Sequence, residues 1–255
     1  MERPDAVAND ESAARAADRG TRTALPVRAV LFDLDGTLVD TESQTDAAIG
    51  AIAARHGVAG FTLPHGETRG RTWTHVADTM RARTGIDVPA AVLAGTLLAY
   101  WNEAVTEAPA VPGAQQAMRA AVAAGLRLAV VSSSPRSVIS HFLVRLAVGD
   151  CVGTQARIGA DSVRKGKPDP EGFLLAARAL AADPAATLVF EDSQAGLLAA
   201  RAAGMRSMFI TCCATDIAAN AALATASCAD YESLPPRFWD ELAAGTVDLV
   251  NRSFP

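Results

Sequence analysis

A short apolar run that ends in two closely spaced carboxylates constrains the fold of this chain more than any other feature. Residues Ala29–Phe32 predict a buried strand, and Asp33 and Asp35 follow at its end. Residues two apart on an extended chain project to the same side, so both carboxylates point into one small volume. Such a pair is costly unless a cation offsets the charge or one group is protonated. The run favours a Mg²⁺ site, although an Asp-rich turn without chemistry explains this run alone equally well.

Strand and helix patterns alternate through the second half of the chain. The predicted strands cover 28–33, 126–132, 187–191 and 207–210, and the helices around them cover 113–124, 135–147, 170–180 and 194–203. This alternation is typical of a parallel sheet covered by helices. Asp33, Ser132 and Asp192 each close one of these strands. Because open α/β sheets bind ligands at the carboxyl ends of their strands, the pattern predicts one site there.

The stretch between the first two strands has a helical pattern instead. Apolar residues recur at three- and four-residue spacing over 41–56, 72–84 and 89–106, and glycine or proline follows each segment. We therefore predict an α-helical insertion at 41–109 in an α/β core formed by 27–40 and 110–255. Residues 1–26 carry few large apolar groups, which predicts a disordered N-terminal arm.

Four short motifs occur in an order that is informative as a set. They are Asp33-Leu-Asp35-Gly-Thr37, the serine Ser132 after the apolar run 128–131, Lys167-Pro168, and Glu191-Asp192 at the end of a strand. In this order and spacing the chain resembles the haloacid dehalogenase (HAD) superfamily of phosphatases and phosphomutases. The resemblance covers most of the chain and implies a Rossmann-like parallel-sheet HAD core with an inserted C1-type α-helical cap. It is similar to the β-phosphoglucomutase and phosphoglycolate phosphatase branch, whose cap closes over the site and selects the substrate.

The resemblance implies covalent catalysis of phosphate-monoester hydrolysis. Asp33 would be the nucleophile that forms an aspartyl-phosphate, which splits a slow reaction into two easier displacements. Asp35 would be the general acid for the leaving alkoxide and then the base for the attacking water. For Mg²⁺ the family uses the backbone carbonyl of Asp35 and the carboxylates of Asp33 and Asp192. Glu191 is a further ligand, an outer partner that orients a metal-bound water, or an ordinary strand-end carboxylate in solvent.

Two positively polarised groups would bind the phosphoryl oxygens. The resemblance assigns a hydrogen bond to Ser132 and charge neutralisation to Lys167, both aimed at charge that develops in the reaction. Lys165 lacks a following proline and is interpreted as a solvated loop charge. Ser133 and Ser134 belong to the same loop and are predicted to bind substrate, with backbone N–H groups nearby. The three serines fit a helix-capping turn equally well.

Two arginines are candidates for the remote end of the substrate. Arg136 begins the helix after the serines, and it is either a substrate contact or an ordinary surface charge. Arg71 lies in the cap loop 67–75, the specificity loop of the family, together with Arg69, Trp73 and His75. For each of these residues a structural role in the core or at the surface competes with substrate contact.

The cap departs from the mutase branch of the family. Similar β-phosphoglucomutases carry a histidine shortly after the first motif and an arginine in the specificity loop that grips a second phosphate. Here Gln44-Thr45 and Trp73-Thr74 stand at about those places, and Arg71 is an imperfect substitute. We therefore predict an Mg²⁺-dependent phosphatase of a small phosphorylated metabolite, a sugar or polyol phosphate. A β-phosphoglucomutase-like phosphotransferase is the alternative, and a non-catalytic HAD-fold binding protein is disfavoured because Asp33 and Lys167 are present.

Composition excludes other classes of partner. The net charge of −5 gives no basic footprint for nucleic acid, and no apolar run reaches the ~18–20 residues that cross a membrane. The chain starts without an apolar signal segment, and its four cysteines lack zinc-type spacing. These features predict a cytoplasmic protein with reduced thiols, and they leave monomer and homodimer open.

Overall fold

A fully parallel sheet organises residues 25–255, the part of the chain that the computed structural model describes. Its seven strands are β1 (Ala29–Phe32), β2 (Arg127–Val131), β3 (Arg157–Ile158), β4 (Thr187–Glu191), β5 (Arg206–Ile210), β6 (Ala226–Cys228) and β7 (Arg252–Phe254). They are arranged in the order β3-β2-β1-β4-β5-β6-β7, and each neighbouring pair is parallel. The predicted α/β fold is therefore confirmed. The predicted disordered arm lies, except for its last two residues, outside the described range.

Helices connect these strands. They are α1 (Glu42–Arg55), α2 (His65–Thr68), α3 (Trp73–Thr84), α4 (Ala90–Ala104), α5 (Ala114–Ala123), α6 (Arg136–Arg145), α7 (Glu171–Ala179), α8 (Gln194–Ala202), α9 (Ile217–Ala221) and α10 (Phe238–Ala244). Five of them, α1 to α5, lie between β1 and β2, and α1 to α4 fall within 41–109, where the sequence predicts a helical insertion. The division of the chain into a core and a cap domain stays a prediction.

The central strands are buried on both faces, which explains their continuous apolar sequences. All four residues of β1 are buried, and β2 and β4 flank it in register. The ring of Phe32 stacks on that of Phe190 at 5.2 Å, and Trp239 of α10 packs against Phe190 at 5.6 Å. Trp239 thus packs α10 against the central strands of the sheet.

The longer helices follow the sequence pattern to within a few residues at each end. In α3, Thr72 accepts a hydrogen bond from the His75 N–H at 3.3 Å, and Gly85 ends the helix at a φ of 73°. A positive φ of this kind is the usual glycine signal for a helix end. In the insertion, α4 packs against both α1 and α3, with Leu97 and Trp101 buried between them.

Two further sequence predictions concern membrane insertion and the state of the cysteines. Within residues 25–255, no helix combines the length and the apolar character that a membrane span requires. Cys151, Cys212, Cys213 and Cys228 form no disulfide among the described residues, and their reduced state stays a prediction. The cytoplasmic location stays a prediction.

Candidate active site

Three of the predicted site residues follow three neighbouring strands. Asp33 follows β1, Ser132 follows β2, and Asp192 follows β4. The Asp33 N–H donates to the Phe190 carbonyl at 3.0 Å, and the Ser132 N–H donates to the Ile158 carbonyl at 3.0 Å. These bonds continue the sheet ladder and fix the backbone on which the side chains stand. The carboxyl edge of the central strands therefore carries the cluster, as the sequence predicts.

Lys167 joins the nucleophile candidate to a second carboxylate. Its Nζ donates to Asp33 Oδ1 and to Glu191 Oε1, and the three side chains are 6%, 4% and 0% exposed. Burial alone would lower the pKa of Lys167, but the charges of Asp33 and Glu191 raise it above its usual value. Lys167 therefore stays a buried cation. Glu191 is held in turn because its Oε2 accepts from the Ser193 N–H at 2.8 Å and from the Ser193 hydroxyl at 2.9 Å.

The carboxylate of Asp35 is surrounded by hydroxyl groups. It accepts hydrogen bonds from Thr41 at 3.1 Å, from Ser132 at 3.0 Å and from Ser134 at 3.0 Å. Burial raises the pKa of Asp35, although the serine and threonine hydrogen bonds act in the opposite direction. A carboxyl group with a raised pKa and a fixed orientation is suited to donate and then accept a proton.

An acidic cluster at this edge fits a divalent metal ion. Asp33, Glu191 and Asp192 each offer a carboxylate oxygen, and these oxygens lie within 4.8 Å of one another. Asp192 Oδ1 accepts from the Thr37 hydroxyl at 3.4 Å, while its buried Oδ2 has no hydrogen-bond partner among the described residues. Burial, and then the charges of Glu191 and Asp33, raise the pKa of Asp192 well above its usual value. A hard cation bound by oxygen ligands would stabilise this excess negative charge, because the charges of Lys167 and Arg69 do not balance three carboxylates.

Two glycines allow these carboxylates to approach the backbone. A Cβ placed on Gly36, whose φ is 81°, would stand 2.2 Å from Asp192 Oδ2. A Cβ placed on Gly196 would stand 1.8 Å from Glu191 Oε1. Both positions therefore require glycine, one for the metal-ligand candidate and one for the residue that holds Lys167.

A cavity separates the strand ends from the helical insertion. Its lining includes the following residues of the strand-end loops and of the insertion: Asp33, Asp35, Ser133, Ser134, Glu42, Thr45, Arg71, Trp73 and Trp101. The insertion touches the strand-end loops directly, because the Ser133 hydroxyl donates to the Gly70 carbonyl at 2.8 Å. A Cβ on Gly70 would stand 2.2 Å from Ser193 Oγ. The specificity loop is thus in close contact with the loops that carry the carboxylates.

Arg69 contacts two other segments of the chain and so links three segments. The sequence pattern does not reveal this role. Its Nε lies 2.8 Å from Glu42 Oε2, and its Nη1 donates to the Cys213 carbonyl in the loop after β5. Burial raises the pKa of Glu42 to about 7, even though Arg69 acts in the opposite direction. Glu42 is absent from the sequence-based candidates because its partner, Arg69, comes from another segment. Thr41 is also absent, although its partner Asp35 lies only six residues before it. The run Asp-Thr-Glu at 40–42 has no periodic pattern that would mark these two residues as part of a site.

The remaining candidates are placed differently. Arg136 lies outside the cavity: its guanidinium donates to the Thr154 carbonyl, and its backbone N–H donates to Asp161 at 3.0 Å. That carboxylate, rather than the serine loop, therefore satisfies this N–H at the start of α6. Lys165 is exposed and lies 3.9 Å from Asp169. Arg71 does line the cavity, and His75 is exposed.

A family model for haloacid dehalogenase-like hydrolases matches residues 27–204. Among named relatives, a validoxylamine A 7'-phosphate phosphatase from Streptomyces hygroscopicus subsp. limoneus is 34% identical over 193 residues, covering 72% of this chain and 85% of its own. Hexitol phosphatase A from Escherichia coli is 32% identical, covering 68% of this chain and 78% of its own.

A solved structure supports the fold. A β-phosphoglucomutase from Clostridium difficile superposes with a TM-score of 0.70 at 19% identity, over 86% of this chain and 97% of that one. At this identity the match concerns the fold alone. The similarity in activity rests instead on the two relatives that are named as phosphatases.

Proposed function

Because the chain belongs to the haloacid dehalogenase-like hydrolases, we propose that it is an Mg²⁺-dependent phosphatase of small phosphorylated sugars or polyols that works through an aspartyl-phosphate on Asp33. The observation that carries the proposal is the buried Lys167–Asp33 contact in an acidic cluster whose member Asp33 lines a cavity. The two relatives named above are phosphatases, one of them of hexitol phosphates.

The arrangement supports a two-step displacement. Lys167 holds Oδ1 of Asp33, which leaves Oδ2 to attack phosphorus as the bond to the leaving alkoxide breaks. Asp35, in its protonated form, gives its proton to that alkoxide. Asp35 then accepts a proton from the water that attacks the phosphoryl group on Asp33, so Asp33 is regenerated and inorganic phosphate is released.

Other residues of this chain would stabilise the charge on the phosphoryl oxygens. Lys167 is a fixed cation next to the reacting carboxylate, and the Ser132 hydroxyl needs only to turn from Asp35 to donate to a phosphoryl oxygen. Mg²⁺, held by the carboxylates of Asp33 and Asp192 and by the Asp35 carbonyl, would neutralise phosphoryl charge. Glu191 acts through Lys167 and Ser193, because both of its oxygens are already engaged there.

We further propose that residues 41–109 form a cap domain over a core of 27–40 and 110–255. The contacts of Arg69 with Cys213 and of Ser133 with Gly70 support a lid that rests on the strand-end loops. A lid of this kind excludes water from the developing charges and lets the substrate's remote end influence the reaction.

The mutase alternative requires a cationic grip on a second phosphate. Arg71 is the candidate, because it lines the cavity and its buried Nε has no hydrogen-bond partner in the described range. Thr45 and Trp73 in the same lining carry no charge, and the charge of Arg69 is paired with Glu42. This part of the cavity lining favours a substrate whose remote end is neutral over one that carries a second phosphate there.

Product analysis tests the proposal directly. With Mg²⁺, the purified protein should release inorganic phosphate from hexose and hexitol phosphates, and Asp33→Asn should abolish the release while leaving the circular dichroism spectrum unchanged. With glucose 1-phosphate and a bisphosphate activator, no isomerisation should occur. Efficient isomerisation without net phosphate release would establish the mutase instead, and the absence of both activities would favour a binding protein.

A further inference from the structure

Two tryptophans from different helices form an aromatic wall in the cavity. Trp101 of α4 is 1% exposed, and its Nε1 donates to Thr45 Oγ1 at 3.2 Å. The ring of Trp73, at the start of α3, lies 5.8 Å from that of Trp101, and the two planes are tilted by 60°. Trp101 is fixed by burial and by its hydrogen bond, so it supports Trp73 from behind. Trp73 itself is only partly buried and lines the cavity that contains Asp33.

The polar groups beside this wall differ in their freedom to bind a ligand. Thr45 is engaged twice, since it accepts from Trp101 and donates to the Thr41 carbonyl at 3.1 Å. Glu42 is engaged by Arg69. Arg71 makes no ion pair with any residue of the described range, and its Nε lacks an acceptor there. Arg71 is therefore the group next to Trp73 that is available for substrate oxygens.

This combination favours one shape of substrate. A cyclic polyol has a flat face of C–H groups, which packs on an aromatic ring, and hydroxyl groups at its edge, which accept hydrogen bonds from a guanidinium. An acyclic polyol presents such a face only after several torsions are fixed, and fixing them costs conformational entropy on binding. A rigid aromatic wall therefore discriminates between the two forms of an otherwise similar molecule.

We propose that Trp73 and Arg71 form a subsite for a ring-shaped, uncharged polyol group, so that the enzyme prefers cyclic sugar or cyclitol phosphates to acyclic polyol phosphates. The proposal rests on the function proposed above, because it concerns the remote end of the same substrate. Trp73 is a specificity-determining residue in this account, and the chemistry at phosphorus stays with Asp33 and Asp35.

Glucose 6-phosphate and glucitol 6-phosphate test the subsite because they differ little except in ring closure. We expect kcat/KM of the wild type to be about tenfold higher for the cyclic substrate, mainly through KM. Trp73→Leu should bring this ratio close to one, whereas Trp73→Phe, which keeps an aromatic face, should retain most of it. Asp78→Ala is the matched control, since Asp78 is on the same helix but is exposed and lies outside the loop 67–75, and it should keep the wild-type ratio.

The outcomes separate the subsite from the proposed function. An equal or reversed ratio in the wild type, or an unchanged ratio in Trp73→Leu, would overturn the subsite. Acetyl phosphate has no polyol end, so its hydrolysis together with an equal ratio would contradict the subsite and leave the phosphatase intact. If no phosphate is released from any substrate, the proposed function fails. Calorimetric titration of Asp33→Asn with both hexose derivatives then decides the subsite: tighter binding of glucose 6-phosphate supports it, and equal affinity overturns it.

Discussion

At the residue scale, Lys167 supplies the positive charge that contacts two buried carboxylates. Its ammonium contacts Asp33 and Glu191, and all three side chains are almost fully buried. Removing one partner of such a group leaves uncompensated charge in the interior, which is more costly than never having placed the group there. The same lysine therefore contributes to the stability of the fold and to the proposed chemistry.

We expect Lys167→Met to lower kcat/KM for phosphate release by about 10²-fold or more, because a preorganised cation next to the reacting group is lost. The free energy of unfolding should fall by about 3 kcal/mol, measured by urea denaturation. Lys165→Met is the control: this side chain is 74% exposed, and both quantities should stay close to wild type. Wild-type turnover in Lys167→Met would contradict the role of Lys167.

Gly196 offers a second test, because helix propensity and site geometry act in opposite directions. In an open position of a helix, replacing glycine with alanine stabilises a protein by about 0.5–1 kcal/mol. At Gly196, the new Cβ would stand 1.8 Å from Glu191 Oε1 and displace the carboxylate that holds Lys167. Gly196→Ala should therefore lower both thermal stability and activity.

Gly95 is the matched control, since it lies inside α4 and a Cβ added there would have nothing within 4 Å. Gly95→Ala should raise the melting temperature without affecting phosphate release. If both variants behaved alike, the close approach of Gly196 to Glu191 would not be a constraint.

At the element scale, the Glu42–Arg69 pair joins the start of α1 to the specificity loop, and through the Cys213 carbonyl to the loop after β5. Burial raises the pKa of Glu42 from 4.5 to about 7. The folded state thus binds this proton more tightly than the unfolded state does. The resulting stabilisation is fully present below pH 4.5 and is lost as the pH rises through 7.

We therefore expect the difference in unfolding free energy between wild type and Glu42→Gln to change with pH. The wild type should lose up to about 3 kcal/mol relative to the variant between pH 5 and pH 8. Urea denaturation of both proteins at the two pH values, without added Mg²⁺, measures this difference. The variant serves as the reference because the other buried carboxylates titrate in both proteins. A difference that does not vary with pH would show that Glu42 titrates normally.

Sequence pattern predicts those elements that carry their own signal. Helix α3 is one example, because Thr72 and Gly85 mark its ends, and β4 matches its predicted bounds because an apolar run stops at Glu191. By contrast, β3 has two residues and α2 has four, too few to show a period. These elements exist because the surrounding chain positions them, which local sequence does not encode.

The site residues also divide into those that the local sequence predicts and those that it does not. Asp33, Ser132 and Asp192 are predictable because each closes an apolar strand, and parallel strands place their carboxyl ends together. The contact of Arg69 with the Cys213 carbonyl depends instead on how the insertion lies on the core. The placement of Trp73 against Trp101 depends on how α3 packs on α4. Arg136 has the local context of a phosphate contact, yet its guanidinium donates to the Thr154 carbonyl and lies outside the cavity.

At the scale of the whole molecule, the acidic cluster couples metal binding to stability. A ligand that binds only the folded state stabilises it by about 1.4 kcal/mol at ten times its dissociation constant. For a chain of this size such a gain raises the melting temperature by roughly 2–4 °C. We expect millimolar Mg²⁺ to produce this shift in the wild type, measured by differential scanning calorimetry.

Asp192→Ala removes the carboxylate whose Oδ2 has no partner in the described structure. The shift caused by Mg²⁺ should disappear in this variant, and activity should return only at much higher Mg²⁺ concentration. Asp169→Ala is a control for the loss of a carboxylate near Lys167 in sequence, and it should keep the Mg²⁺ response. An unchanged response in Asp192→Ala would exclude Asp192 as a ligand.

Covalent trapping on Asp33 tests the central claim most directly. Asp35→Asn lacks the base for the second step, so a good leaving group such as that of acetyl phosphate should allow the phosphoryl-enzyme to accumulate with Mg²⁺ present. Rapid acid quench, borohydride reduction and peptide mass spectrometry convert an aspartyl-phosphate to homoserine and locate it. We predict homoserine at position 33 and at no other aspartate. Homoserine at another position, or phosphate release by the wild type with no trapped intermediate in Asp35→Asn, would contradict the claim.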